Sequence, residues 1–269
     1  MEIIQKVEKE ISISGQLNEK EYFEFHKDRY ARFNNFLESE FGDRIKHEKL
    51  KVLDIGSHYL HSSIILSEMG FEVDGMDVSE FWNLDFVEKR GEKYGINRII
   101  ENDLAILPGF QKVSDHYDLI VFTEIFEHIT FNPIRLWQNL YRILKAGGII
   151  YISTPNALAL PSLVRTFKNL FFLSSIGISV HDIFSKVTYG HHWKEYTSKE
   201  IETYFKFLSD DFDVEIYPYN YKNYNLKPPF LIFKILSRIG NLTKKFADDL
   251  EVLVRLPQKK SWKIRPPKY

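Results

Sequence analysis

Three runs of this chain, KVLDI at 51–55, YDLIVF at 117–122 and GIIYIS at 148–153, are almost wholly apolar and rich in β-branched residues. A strand that is apolar on both sides must be covered on both faces, which is the situation of a central strand in a parallel sheet. Further short runs at 71–76 and 98–100 read as strands, and the stretches 62–69, 81–94 and 133–145 between them read as helices. Strand and helix repeated in this way predict a doubly wound α/β fold, whose ligand lies beyond the carboxyl ends of the strands. Chemistry is therefore to be sought in the loops that follow each strand.

The flanking regions are of a different kind. Residues 19–41 place Tyr22, Phe25, Tyr30, Phe33, Phe36 and Leu37 at helical spacing among charged residues, which predicts an amphipathic helix. Its aromatic stripe would suit a homodimer contact. Residues 157–192 form an aromatic-rich insertion of the length expected for a lid. Thr197 followed by Glu200 is a capping box that starts a helix over 197–208, and 212–217 and 250–256 supply two more strands. Between those strands, 228–246 reads as an amphipathic helix with Lys234, Arg238, Asn241 and Lys245 on one face. The apolar surfaces of this helix and of the insertion would pack on each other as a cap over an acceptor. Alternatively the basic helix, at 229–246, would lie on a membrane surface and handle a lipid-linked acceptor. These features divide the chain into a helical extension (1–44), a main domain (45–256) and a basic, weakly ordered tail (257–269).

Charge and composition narrow the functions available. The formal net charge is −1, yet residues 219–269 hold twelve Lys or Arg against Asp248, Asp249 and Glu251. Nucleic-acid binding is disfavoured all the same, because no recognition module is visible. The absence of cysteine rules out thiol nucleophiles and iron–sulfur ligation. The first ten residues have charges spread among them, and no run reaches the roughly 18 apolar residues that would span a bilayer. A cytoplasmic protein, peripheral at the membrane in the alternative above, is expected.

The strand ends carry the candidate site. Asp54 and Gly56 end the first strand, with Ser57 opening the loop that leads into a helix, and Asp77 and Val78 end the second. An acid at that second position suits the vicinal hydroxyls of an adenosine ribose. Asp54 reads equally well as a contact to a ligand ammonium group or as a cap of its own loop. At the third strand end, Asn102, Asp103 and Leu104 place a carboxylate for an adenine amino group and an apolar side chain for the ring. Their alternative is a turn before Pro108. Glu124, Glu127 and His128 follow the fourth strand. A neutral-range imidazole is the natural base for removing an acceptor's proton, so His128 is the catalytic candidate, and His191 and His192 are candidates to face the substrate. The carboxylates and histidines show no recognisable metal spacing, and no metal is expected.

These pieces together resemble the class I S-adenosylmethionine-dependent methyltransferases: VLDIG at 52–56, Asp77, NDL at 102–104, YDLIVFTEIFEHI at 117–129 and LKAGGIIYISTPN at 144–156. The nearest resemblance is to the subgroup that methylates quinone precursors, sugars and other small molecules. It implies a Rossmann-like, mostly parallel seven-stranded sheet with its last strand antiparallel and inserted beside the fifth. It also implies S-adenosyl-L-methionine as cofactor and methyl transfer to an oxygen, or less readily a nitrogen, of a small metabolite, sugar or lipid-linked precursor. One departure stands out. The family's G-x-G-x-G loop here reads Gly56-Ser57-His58-Tyr59-Leu60, and the bulk of His58 and Leu60 is expected to narrow or reshape the cofactor wall. Two rival readings follow from it, a non-catalytic scaffold with a degenerate pocket and an NAD-dependent oxidoreductase. The second is the weaker, since a pyrophosphate needs the lost glycines more.

Overall fold

The computed structural model describes residues 2–174, 177–178, 180–185, 190–224 and 230–267. The first part of the chain forms α1 (Glu2–Ser14), α2 (Leu17–Phe41), β1 (Lys51–Ile55), α3 (His61–Met69), β2 (Glu72–Asp77), α4 (Ser79–Trp82), α5 (Asp85–Lys93) and β3 (Asn97–Ile100). Then come β4 (Tyr117–Thr123), α6 (Ile134–Ile143), β5 (Leu144–Pro155), α7 (Leu160–Phe171) and α8 (Val180–Ser185). The chain closes with α9 (Ser198–Leu208), β6 (Asp213–Tyr219), α10 (Phe230–Thr243) and β7 (Asp249–Leu256). The seven strands lie in the order β3-β2-β1-β4-β5-β7-β6. β1 pairs with β2 and β2 with β3 in parallel, while β7 runs antiparallel to β6 and is inserted beside β5, as expected.

Two compact units are distinguished along the chain. The first comprises residues 1–121, 138–150 and 221–223. Its core is built on the apolar runs: Val52 and Leu53 of β1 and Ile64, Ile65 and Leu66 of α3 are fully buried. Over this core lies α2, whose Phe23, Tyr30, Phe33, Phe36 and Leu37 are also buried. The aromatic stripe is therefore spent inside the unit, and the expectation that it would be an exposed dimer contact is corrected. α1, which the sequence reading passed over, adds Ile4, Val7 and Ile11 to the same core.

Glu19 of α2 ties these helices down from inside. Its Oε1 accepts from Arg90 Nη1 at 2.6 Å and lies 2.8 Å from His61 Nε2, and all three side chains are buried. Burial pushes the Glu19 carboxyl up, but the hydrogen bonds from His61, Arg90 and Ser14 outweigh it and leave the group at about 2. A single helix was expected over 81–94, and the chain instead breaks at Asn83 and Leu84. The break lets Trp82 turn inward against Gly75 and Gly91, where an added Cβ would come within 3.1 and 2.9 Å of the indole. The Arg98 guanidinium holds the Asn83 side chain at 2.6 Å.

The second unit comprises residues 122–137, 151–220 and 224–269. Phe126, Trp137 and Phe205 are buried in an aromatic cluster, closed by a 2.7 Å hydrogen bond from Trp137 Nε1 to Tyr204 Oη. The capping box forms as the sequence predicts. Glu200 N–H donates to Thr197 Oγ1 at 3.2 Å and Thr197 N–H to Glu200 Oε2 at 2.9 Å. The tail departs from its expected looseness, because Lys260 and Ser261 N–H groups both donate to Asp211 Oδ2 at 2.7 Å. Lys263 N–H adds a bond to Leu208 O at 3.0 Å. Of the insertion at 157–192, residues 175–176, 179 and 186–189 lie outside the described residues. So do 225–229 at the start of the basic helix and 268–269 of the tail.

Candidate active site

The first unit holds the loop in which the two glycines are missing. All three positions of the expected glycine pattern nevertheless have left-handed backbone, with φ of 73° at Gly56, 47° at His58 and 66° at Leu60. Non-glycine residues in that region are strained by about 1–3 kcal/mol each, so the surrounding structure must hold them there. Leu60 is held by its side chain, which is fully buried and within 3.8 Å of a Cβ placed on Gly91. The isobutyl group is thus part of the core beneath the loop. This corrects the expectation that Leu60 would narrow the wall.

His58 is held at both ends. Its N–H donates to Asp77 Oδ2 at 2.7 Å, and its ring packs against Tyr22, Tyr59 and Phe81 with centroids 5.0, 3.8 and 4.3 Å away. Burial, reinforced by the nearby His61 and Arg29, lowers the ring to about 3, so His58 is neutral at physiological pH. The loop is braced further by Arg90 Nη1, which donates to Tyr59 O at 2.6 Å. No sequence signal pointed to this brace, because Glu19, His61 and Arg90 are far apart along the chain and each reads as a surface charge.

Asp77 accepts from His58 N–H and, through Oδ1, from Val78 N–H at 2.7 Å. Each carboxylate oxygen has a second lone pair for a ligand hydroxyl. Burial raises the group from 3.8 to about 6, against the lowering effect of those two backbone donors. The helix after β2 begins at Ser79, with Val78 at the N-cap position and no side-chain cap there, so the Asp77 carboxylate is not spent as a helix cap.

Asp54 is fully buried and raised by burial to about 6, with Oδ2 accepting from Ser62 and Ser63 hydroxyls at 3.0 and 2.5 Å. It therefore ties the end of β1 to the first turn of α3 through two serine hydroxyls, without capping the helix N–H groups. Its Oδ1, together with Ser57 Oγ and His58 Nδ1, is a buried polar atom with no partner among the described residues. Such atoms are costly unless a ligand or water meets them.

At the third strand end Asn102 Oδ1 accepts from Ser79 N–H at 3.3 Å, and Asp103 Oδ1 accepts from Ala105 N–H at 3.0 Å. The second is the turn geometry foreseen as the alternative for Asp103. Asp103 is exposed and Leu104 half-buried.

The second unit holds the other candidates. Glu124, at φ 54°, is fastened to β5 twice, by its N–H to Ser153 O at 2.8 Å and by Ser153 Oγ to its Oε1 at 3.1 Å. Glu127 is buried, with Thr154 Oγ1 donating to its Oε2 at 3.0 Å. Its carbonyl accepts from Trp193 N–H at 2.8 Å, which draws the segment after Gly190 to the fourth strand end.

His128 thereby meets both expected histidines. Its Nδ1 lies 2.8 Å from His191 O, and its ring meets that of His192 edge-on at 5.0 Å. A carbonyl only accepts, so Nδ1 carries the proton and Nε2 keeps a free lone pair in the neutral ring. Burial lowers His128 below the usual imidazole range, despite the opposing His191 bond. Glu127, His128 and His192 could also hold a cation, since one ligand atom from each lies within 4.8 Å of the others, a grouping that spacing along the chain did not suggest. Glu124 and His191 stand outside that grouping.

Comparison with known proteins places the chain among methyltransferases. A family described as "Methyltransferase domain" matches residues 22–206. A Dictyostelium discoideum protein, ubiquinone biosynthesis O-methyltransferase, mitochondrial, is 29% identical over 168 residues, which are 59% of this chain and 49% of that one. The chain thus spans about half the length of that curated relative. Among solved structures, the plantazolicin methyltransferase BpumL, in complex with a desmethyl analogue and S-adenosylhomocysteine, has a TM-score of 0.51 at 20% identity over 96% of this chain and 98% of its own. The PH0226 protein of Pyrococcus horikoshii has a TM-score of 0.50 at 14% identity, over 90% and 92%.

Proposed function

From the premise that the chain belongs to the class I S-adenosylmethionine-dependent methyltransferase family, we propose that it methylates an oxygen of a small metabolite, sugar or lipid-linked precursor. The observation that carries this reading is the left-handed backbone at Gly56, His58 and Leu60, which keeps the curled shape of a glycine loop with two of its glycines replaced. The unpartnered Asp54 Oδ1, Ser57 Oγ and His58 Nδ1 fit the polar methionine end of the cofactor, and Asp77 fits its ribose. Asn102, Asp103 and Leu104 would take the adenine, with Val78 next to Asp77 in the same unit.

When bound, S-adenosylmethionine supplies an electrophilic methyl group on a positively charged sulfur. The chain's own task is then to align an acceptor and remove its proton. His128 is suited to the second part: burial keeps it neutral, His191 O fixes Nδ1–H, and Nε2 is left to accept. His191 and His192 would border the acceptor. Oxygen is favoured over nitrogen because the Dictyostelium relative is named as an O-methyltransferase. The same proposal keeps 1–44 as an extension of a 45–256 catalytic domain, in a cytoplasmic protein.

The test is release of S-adenosylhomocysteine when hydroxylated quinone precursors are supplied with S-adenosylmethionine. His128→Ala is expected to lower turnover by about 10²–10⁴ while S-adenosylhomocysteine affinity is unchanged. Unchanged turnover would remove the base from this account.

A further inference from the structure

The helices α7 and α10 of the second unit present their apolar side chains the wrong way round for a water-soluble surface. In α10 the buried positions are Ser237 and Gly240, whereas Ile232, Ile235, Ile239 and Leu242 are exposed. Ser237 is pinned by Asp248 and Asn220, and Gly240 sits so close to its neighbours that an added Cβ would lie 3.2 Å from Leu160 Cβ and 2.1 Å from Phe246 O. α10 therefore meets the start of α7 where Gly240 lies against Leu160, and the large apolar groups farther along do not bury each other. This corrects the expected cap. At the far end of α7, Phe167 is 68%, Phe171 82% and Leu173 89% exposed.

Charge indicates what meets this surface. Residues 156–181 and 224–247 contain seven Lys or Arg and no Asp or Glu. On a helical projection Ile232, Ile235, Ile239 and Leu242 share one stripe of α10, and Lys234 and Arg238 run along its edge. A protein partner would be matched by mixed charge or by apolar surface alone. An apolar face edged only by cations matches an interface that is greasy within and anionic at its rim. No helix among the described residues is long and apolar enough to cross a membrane, so contact would be along the surface.

We propose that the outward faces of α7 and α10 dock on an anionic lipid bilayer, with the Ile and Phe side chains in the acyl boundary and the Lys and Arg side chains at the headgroups. The inference goes beyond the methyl-transfer reading and holds whichever acceptor is methylated.

The experiment is flotation of the full chain with phosphatidylcholine vesicles that contain or lack phosphatidylglycerol. Flotation is expected with the anionic vesicles only, weakened by added salt. The double variant Ile235→Glu, Ile239→Glu should reduce the bound fraction about tenfold or more, with S-adenosylhomocysteine affinity and melting temperature unchanged because both positions are exposed. The proposal is overturned by flotation with neither vesicle, by equal flotation with both, or by flotation that the double variant leaves intact. It is overturned too if the face instead mediates concentration-dependent self-association in sedimentation, abolished by the same variant, without vesicle binding.

Discussion

Two helices of this protein carry apolar residues at helical spacing in the sequence and have opposite fates in the structure. α2 turns Phe23, Phe33 and Leu37 into the core of the first unit and carries Glu19 inside with them, its charge met by Arg90 and its carboxylate hydrogen-bonded to His61. α10 turns Ser237 and Gly240 inward and leaves Ile235 and Leu242 in the open, flanked only by cations. Periodicity shows that a helix has two faces. It does not say which face the protein keeps for itself, and the small and charged residues between the apolar ones decide that.

The largest effect should come from the charges buried under α2. Arg90→Ala leaves Glu19 short of its guanidinium and is expected to cost about 3–5 kcal/mol, read as a drop in denaturation midpoint. Because Arg90 also braces Tyr59 O, the loop should lose its hold on ligand in the same variant. A loss of less than about 1 kcal/mol would show that the triad is incidental to the fold.

The stripes themselves can be set against each other directly. Phe33→Ala is expected to destabilise by about 3–5 kcal/mol, whereas Ile235→Ala should stay within about 0.5 kcal/mol. Comparable losses at both positions would mean that α10 is covered in solution and would erase the contrast.

A smaller effect has an unusual sign. Ala is ordinarily preferred to Gly, yet at left-handed Leu60 the order should invert, with Leu60→Gly more stable than Leu60→Ala by about 1 kcal/mol. Paired thermal melts of the two variants check it, and the ordinary order would mean that the loop is not curled as described.

Much of the architecture was legible because its strands are apolar on both sides and its capping box is local. The strand order with β7 inserted came through resemblance, and the strand-end acids fell where a doubly wound sheet puts them. What escaped depended on residues distant in sequence. The pairing of Glu19 with His61 and Arg90 has no local signature, and neither does the bond from Trp193 N–H to Glu127 O that brings His191 and His192 to His128. The loop was misjudged in one respect for a related reason. Counting glycines measures how readily a backbone curls, but not whether a buried leucine and a stacked histidine can force the same curl.

The central claim is that this forced curl still seats the cofactor, and isothermal titration with S-adenosylhomocysteine across pH tests it most directly. Burial holds the Asp77 carboxyl at about 6 in the folded chain against 3.8 unfolded, so the free protein favours the protonated form and loses that stabilisation as pH rises through 6. Ribose hydroxyls donate to the ionised form, so micromolar binding is expected at neutral pH, weakening as pH falls below 6, and weaker by about tenfold or more in Asp77→Ala at pH 7. Absence of binding at millimolar ligand, or affinity indifferent to both pH and Asp77→Ala, would contradict it.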